Sequence, residues 1–125
     1  MAVTIDCEDD VVFIHIDAPI EARDGVAWAE PVTRVARANG GRVHIVAELV
    51  PAVPIPLDVF LAACRKALDL APIIASLAFV ARGAAERTLT RAAAAVIAPV
   101  YPVAYFDDVG EARAWVAGRQ QARAS

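Results

Sequence analysis

The closing segment Tyr101–Val116 constrains the fold more than any other stretch of the chain. It reads Tyr-Pro-Val-Ala-Tyr-Phe-Asp-Asp-Val-Gly-Glu-Ala-Arg-Ala-Trp-Val. A short apolar run meets an acidic pair and then a stretch with helical spacing. Asp108 can accept from the orphan amides of a first helical turn, and Glu111, three residues on, can reach back as in a capping box. A strand that passes through a cap into a helix is half of an α/β crossover. The rest of the chain repeats that alternation.

Val3–Ile5 and Val11–Asp17 read as two strands joined by the acidic turn Cys7-Glu8-Asp9-Asp10. In the second strand Val11, Phe13, His15 and Asp17 share one face, and Val12, Ile14 and Ile16 share the other. Ile20–Ala38 has helical spacing with Trp28, Val32, Val35 and Ala36 on one side. Its first turn is expected from about Asp24, with Pro31 near the helix start or at a kink. Asn39-Gly40-Gly41 is a stop. Arg42–Leu49 is a third strand, followed by the proline-studded segment Val50–Pro56. Leu57–Leu70 is amphipathic, with Leu57, Phe60, Leu61, Cys64 and Leu68 predicted to face inward and Pro72 ending it. Ser76–Ala81 is a fourth strand, Ala84–Ala98 an alanine-rich helix with Arg87 and Arg91 outward, Pro102–Phe106 a fifth strand and Val109–Gln121 the last helix. The order ββαβαβαβα predicts one α/β domain over 1–121, with 122–125 a frayed tail. Its five-stranded sheet is mixed but mostly parallel, and the first strand is its antiparallel edge.

Composition bounds what such a domain can do. The chain has 125 residues, is 58% hydrophobic and carries a formal charge of −3. Lys66 is the only lysine and no basic stripe exists, so nucleic acid is not expected as a partner. The uncharged runs Leu70–Ala81 and Ala92–Phe106 contain proline and fall short of the ~20 apolar residues of a membrane span. The N-terminus lacks the pattern of a signal peptide. Cys7 and Cys64 have no metal spacing and read as reduced thiols, so a cytoplasmic location is expected.

Three stretches are similar to one known family. Ala22–Gly41 is like its first helix, with a proline partway along and a glycine stop before a strand. Ile74–Arg82 is like its penultimate strand. Val103–Val116 is similar to its closing pattern of a Phe-ended strand, an acidic cap and a helix bearing Glu-Ala and Trp. In these respects the chain resembles the STAS-type fold, and in detail the SpoIIAA-like family of bacterial proteins. Anti-sigma-factor antagonists of the wider STAS group use a serine or threonine after the third strand as a phosphorylation switch. The corresponding stretch here, Glu48–Val59, has no hydroxyl residue, so that switch has no acceptor oxygen. Asp58 stands nearest in position, as a fixed charge in the first turn of a helix, where it also suits the helix dipole.

Candidate sites follow from this layout. The carboxyl ends of the parallel strands, where α/β domains gather ligands, supply Asp17, Glu48, Arg82 and Asp107, with Glu21 and Arg23 nearby. His44 joins this polar rim: if the strands of His15 and His44 are neighbours, the two with Glu48 have ligand types suited to zinc, although the spacing is not that of a known site. No metal, cofactor or catalytic residue is assigned. Ser76 and Cys64 lie on buried faces, and neither a nucleophile elbow nor a phosphate loop occurs. The segment Val50, Pro51, Val53, Pro54, Ile55, Pro56, Leu57 and Asp58 is apolar and stiff where loops are ordinarily polar. It either covers the core or forms a contact surface. The expected function is a non-enzymatic regulatory or protein-interaction domain that contacts a protein partner and self-associates as a homodimer. The alternative is a carrier or sensor of a small apolar, lipid-like ligand held between the sheet and the helices beside the proline segment.

Overall fold

A computed structural model describes residues 3–17, 23, 25–50 and 55–124. The elements are β1 (Val3–Glu8), β2 (Val11–Ile16), α1 (Ala29–Ala38), β3 (Val43–Leu49), α2 (Leu57–Asp69), a 3-10 turn (Ala71–Ile73), β4 (Ile74–Ala81), α3 (Ala84–Ile97), β5 (Val103–Phe106) and α4 (Val109–Ala124). They form an α/β domain around one mixed sheet in the order β1-β2-β3-β4-β5. β1 is an antiparallel edge on β2, and β2 to β5 are parallel.

Local signals account for most boundaries. β1 runs three residues past the expected Ile5, because Asp6, Cys7 and Glu8 pair with Phe13, Val12 and Val11. The reversal is left to Asp9 and Asp10, with Asp9 at φ 53°, a conformation aspartate tolerates. Pro31 is the third residue of α1, a position whose N–H has no intrahelical acceptor. At the other end Gly40 and Gly41 have φ of 72° and 85°, and the Gly41 N–H donates to the Ala36 carbonyl at 2.7 Å. That bond closes a Schellman-type stop, which needs residues without a Cβ penalty. α4 continues to Ala124, three residues beyond the expected Gln121.

The sheet is covered on both faces. Val12, Ile14, Ile45, Ala47, Leu77 and Phe79 meet Trp28 just before α1, Val32 and Val35 from α1, Ala67 from α2, and Ala93 and Ile97 from α3 in the larger core. On the opposite face Val11, Val46, Ala78 and Val80 meet Ala112 and Val116 of α4. Stepping from β2 to β5 in one direction through right-handed crossovers puts α1 to α3 on one face. α4 has no following strand and folds onto the other.

One face assignment is corrected. In α2, Leu57 and Leu61 are 65% and 53% exposed, whereas Val59 and Ala67 are buried and Phe60, Cys64 and Leu68 pack on the core. Phe60, Cys64 and Leu68 keep the inward face predicted for them, while Val59 and Ala67 take the places expected of Leu57 and Leu61, a turn of less than one residue's ~100°. Val59, Phe60, Ala63, Cys64 and Ala67 of α2 instead line an apolar space over the sheet. Replacing Ile45, fully enclosed between α1 and the sheet, by Ala is expected to cost about 2–5 kcal/mol. Leu61→Ala is expected to stay within about 0.5 kcal/mol. Urea unfolding at low protein concentration checks both values and with them the orientation of α2.

Candidate functional site

The carboxyl edge of the parallel strands brings together most of the charged residues singled out above. His15 and Glu48 are partners across the β2–β3 register, and the His15 Nδ1–H donates to Glu48 Oε1 at 2.9 Å. His15 Nε2 lies 3.9 Å from Asp17 Oδ2, and the other Glu48 oxygen lies 3.6 Å from an Arg82 guanidinium nitrogen. Arg82 Nε donates to the Asp107 carbonyl at 3.1 Å, and the Asp107 carboxylate meets Arg87 at 3.4 Å. From Glu48 through Arg82 and Asp107 to Arg87 the charges alternate in sign across the ends of β3, β4 and β5, and His15 bridges Glu48 toward Asp17 at the end of β2. Each contact is partly exposed and individually worth little, and the row compensates itself. Arg87 belongs to this row although the sequence placed it only on an outer helix face.

His44 does not belong to it, which corrects the rim assignment. It pairs with Val11 while His15 pairs with Glu48, so four register positions, roughly 13 Å, separate the histidines along the strands. His44 is 1% exposed and lies under α4 at the amino-terminal edge. Its Nδ1 is 2.6 Å from Ser76 Oγ, and its Nε2 is 3.7 Å from Asp10 Oδ2. Serine, histidine and aspartate in sequence suggest acyl-transfer chemistry, but Ser76 has no exposed surface at all and substrate has no path to it. The trio instead ties the hairpin turn to β3 and β4, together with the bond from the His44 N–H to the Asp10 carbonyl. Sequence reasoning missed it because the three residues come from the hairpin turn, β3 and β4, far apart in the chain. Among the described residues no three His, Cys, Asp or Glu side chains gather as a metal site.

Above the other face lies an apolar cavity of about 100 Å³. Ile14, Ile16, Trp28, Leu49, Ile55 and Phe60 are among the side chains that enclose it. Ile55 thus turns inward from the proline segment, while Leu57 and Asp58 are exposed at the start of α2. Val50 extends the strand edge, its N–H donating to the Ile16 carbonyl at 3.0 Å. Pro51, Val53 and Pro54 lie outside the described residues, as does Glu21. The polar groups near the cavity are spent: the Trp28 indole N–H donates to the Gly25 carbonyl at 2.8 Å and the Tyr101 hydroxyl to the Ala67 carbonyl at 3.2 Å. Burial pushes the Cys64 thiol above its ordinary pKa, and the Tyr101 phenol is raised by burial and by its proximity to Cys64.

No family model, curated protein or solved structure matches this chain.

The raised thiol and phenol give a signed expectation. Both groups favour their neutral forms in the fold, so the stability they contribute is complete below the ordinary thiol value of 9.0. It declines as pH rises past that value and then past 10.0, because the unfolded chain ionises first. Chemical denaturation across an alkaline series should show this fall, and Tyr101→Phe should flatten its upper part. At neutral pH iodoacetamide should modify exposed Cys7 well before Cys64, as peptide mass mapping reads directly.

Proposed function

We propose that the chain is a non-enzymatic regulatory or protein-interaction domain of the STAS/SpoIIAA-like type. It lacks the phosphorylatable hydroxyl switch, acts in the cytoplasm and pairs with a second copy of itself. The observation that carries this reading is the pair Leu57 and Leu61. They stand exposed one turn apart at the start of α2, continuous with exposed Pro56 at the end of the proline segment. Large apolar residues so placed favour removal from water, at about 1.5–3 kcal/mol for each side chain fully covered.

Charge supports a second copy as the occupant. Asp58 and Arg65 are exposed on the same side of α2 as Leu57 and Leu61. In a two-fold antiparallel crossing near Leu61, Asp58 of one copy lies beside Arg65 of the other. Such a patch complements itself without a different partner. The carrier reading is supported by the apolar cavity. At about 100 Å³ it is smaller than the ~150 Å³ cavity that accepts benzene. It therefore suits a small hydrocarbon group and not a fatty acyl chain.

Native mass spectrometry of the purified protein should give a dimer of the 13.2 kDa chain without added mass. Leu61→Asp should convert it to a monomer whose unfolding temperature at low concentration matches that of the parent. A monomeric parent, or a Leu57→Asp/Leu61→Asp double variant that still dimerises, rules the α2 surface out. A non-covalent adduct lost on denaturation would favour the carrier reading.

A further inference from the structure

The turn of the chain from one sheet face to the other creates a crevice that the α2 surface does not use. The connection after β4 leads to α3 on the face shared with α1 and α2, and the connection after β5 leads to α4 on the opposite face. Adjacent strand ends whose connections diverge in this way leave a gap beyond their carboxyl termini, the place where open α/β sheets bind ligands. Here the gap measures about 270 Å³, and Ala81, Thr90, Tyr105 and Phe106 form part of its wall.

The charges around the gap are of both signs, and two of them have no ion-pair partner among the described residues. Arg87 and Asp107 pair with each other at 3.4 Å. Arg91 lies with its guanidinium carbon 5.6 Å from the Tyr105 ring centre, and among the described residues it meets no carboxylate. Glu111 is the acid that a complete capping box would use. Its backbone N–H donates to the Asp108 carboxylate at 3.1 Å, but its own carboxylate returns no bond; Glu111 lines the gap, and among the described residues it has no cationic partner. Arg91 on α3 and Glu111 on α4 therefore stand on two walls of one crevice. A simple anion is balanced there by Asp107 and Glu111, and a simple cation by Arg87 and Arg91. A molecule bearing both charges matches both Arg91 and Glu111.

We propose that this crevice binds a small zwitterion of the amino-acid class. The carboxylate sits on Arg91, where a fork of N–H donors suits it, and the ammonium sits on Glu111. The Tyr105 and Phe106 side chains supply an apolar wall for the remainder.

The test uses the whole chain and L-leucine and L-phenylalanine as probes in an amide-resolved NMR titration. Expected are saturable shifts at Thr90, Tyr105, Phe106 and Glu111. Arg91→Gln and Glu111→Gln, both on exposed positions that leave the core untouched, should each weaken binding about tenfold or more. N-acetyl-L-leucine lacks the ammonium and leucine methyl ester lacks the carboxylate, and both should bind more weakly to the same degree. The absence of shifts with both probes overturns the proposal. So does undiminished binding in either variant, or binding of the two blocked derivatives as tight as that of leucine.

Discussion

The arrangement depends on covering β3 and β4 on both sides. All eight residues of β4 are buried, and β3 is buried except at Glu48. A parallel strand of this kind has no solvent face, so its apolar groups favour the folded state only when helices lie above and below it. Three helices supply one cover and α4 the other. Because α4 alone crosses to the second face, β4 and β5 end in connections that part company. The gap with Arg91 and Glu111 on its walls is a consequence of that covering.

The same constraint sorts the polar groups. Charged side chains at the strand ends meet solvent and compensate one another in the row from Asp17 to Arg87. Polar side chains caught beneath α4 have no such freedom, and His44 Nδ1 meets Ser76 Oγ at 2.6 Å. Two sets that look alike as residue types thus have opposite characters. One is a solvated brace that can exchange partners, and the other is a sealed joint between the hairpin and the sheet. Placing α2 with Val59 and Ala67 buried also leaves Leu57 and Leu61 in water and Cys64 against the cavity. The orientation of one helix therefore relates the exposed apolar surface to the enclosed one.

Much of this was legible in the chain. The order of elements, the Gly40-Gly41 stop, the Asp108 cap, Pro31 at a helix start and the alternation along β2 are settled within a few residues. They depend on local hydrogen bonds and side-chain period. The charged strand ends were legible for the same reason, since the end of a strand is a local event. His44 was misplaced because it shares a strand face with Glu48 and the sequence does not say which end of that strand a partner occupies. Leu57 and Leu61, unlike Leu68, turn outward, because a hydrophobic stripe shows only that a helix has an apolar side. It does not show which of its apolar residues sit closest to the sheet.

The sequence by itself determined the α/β alternation, the ends of α1 and α2, the starts of α3 and α4 and the lack of a hydroxyl acceptor between Glu48 and Val59. Each of these is carried by neighbouring residues and needs no distant contact. Tertiary structure alone decided the pairing of His15 with Glu48 and of His44 with Ser76, across 33 and 32 positions. It also decided the turn of α2, the cavity beneath it and the gap between α3 and α4. Those features follow from the register of strands and the fit of helix faces, which depend on the shapes of side chains far apart in the chain.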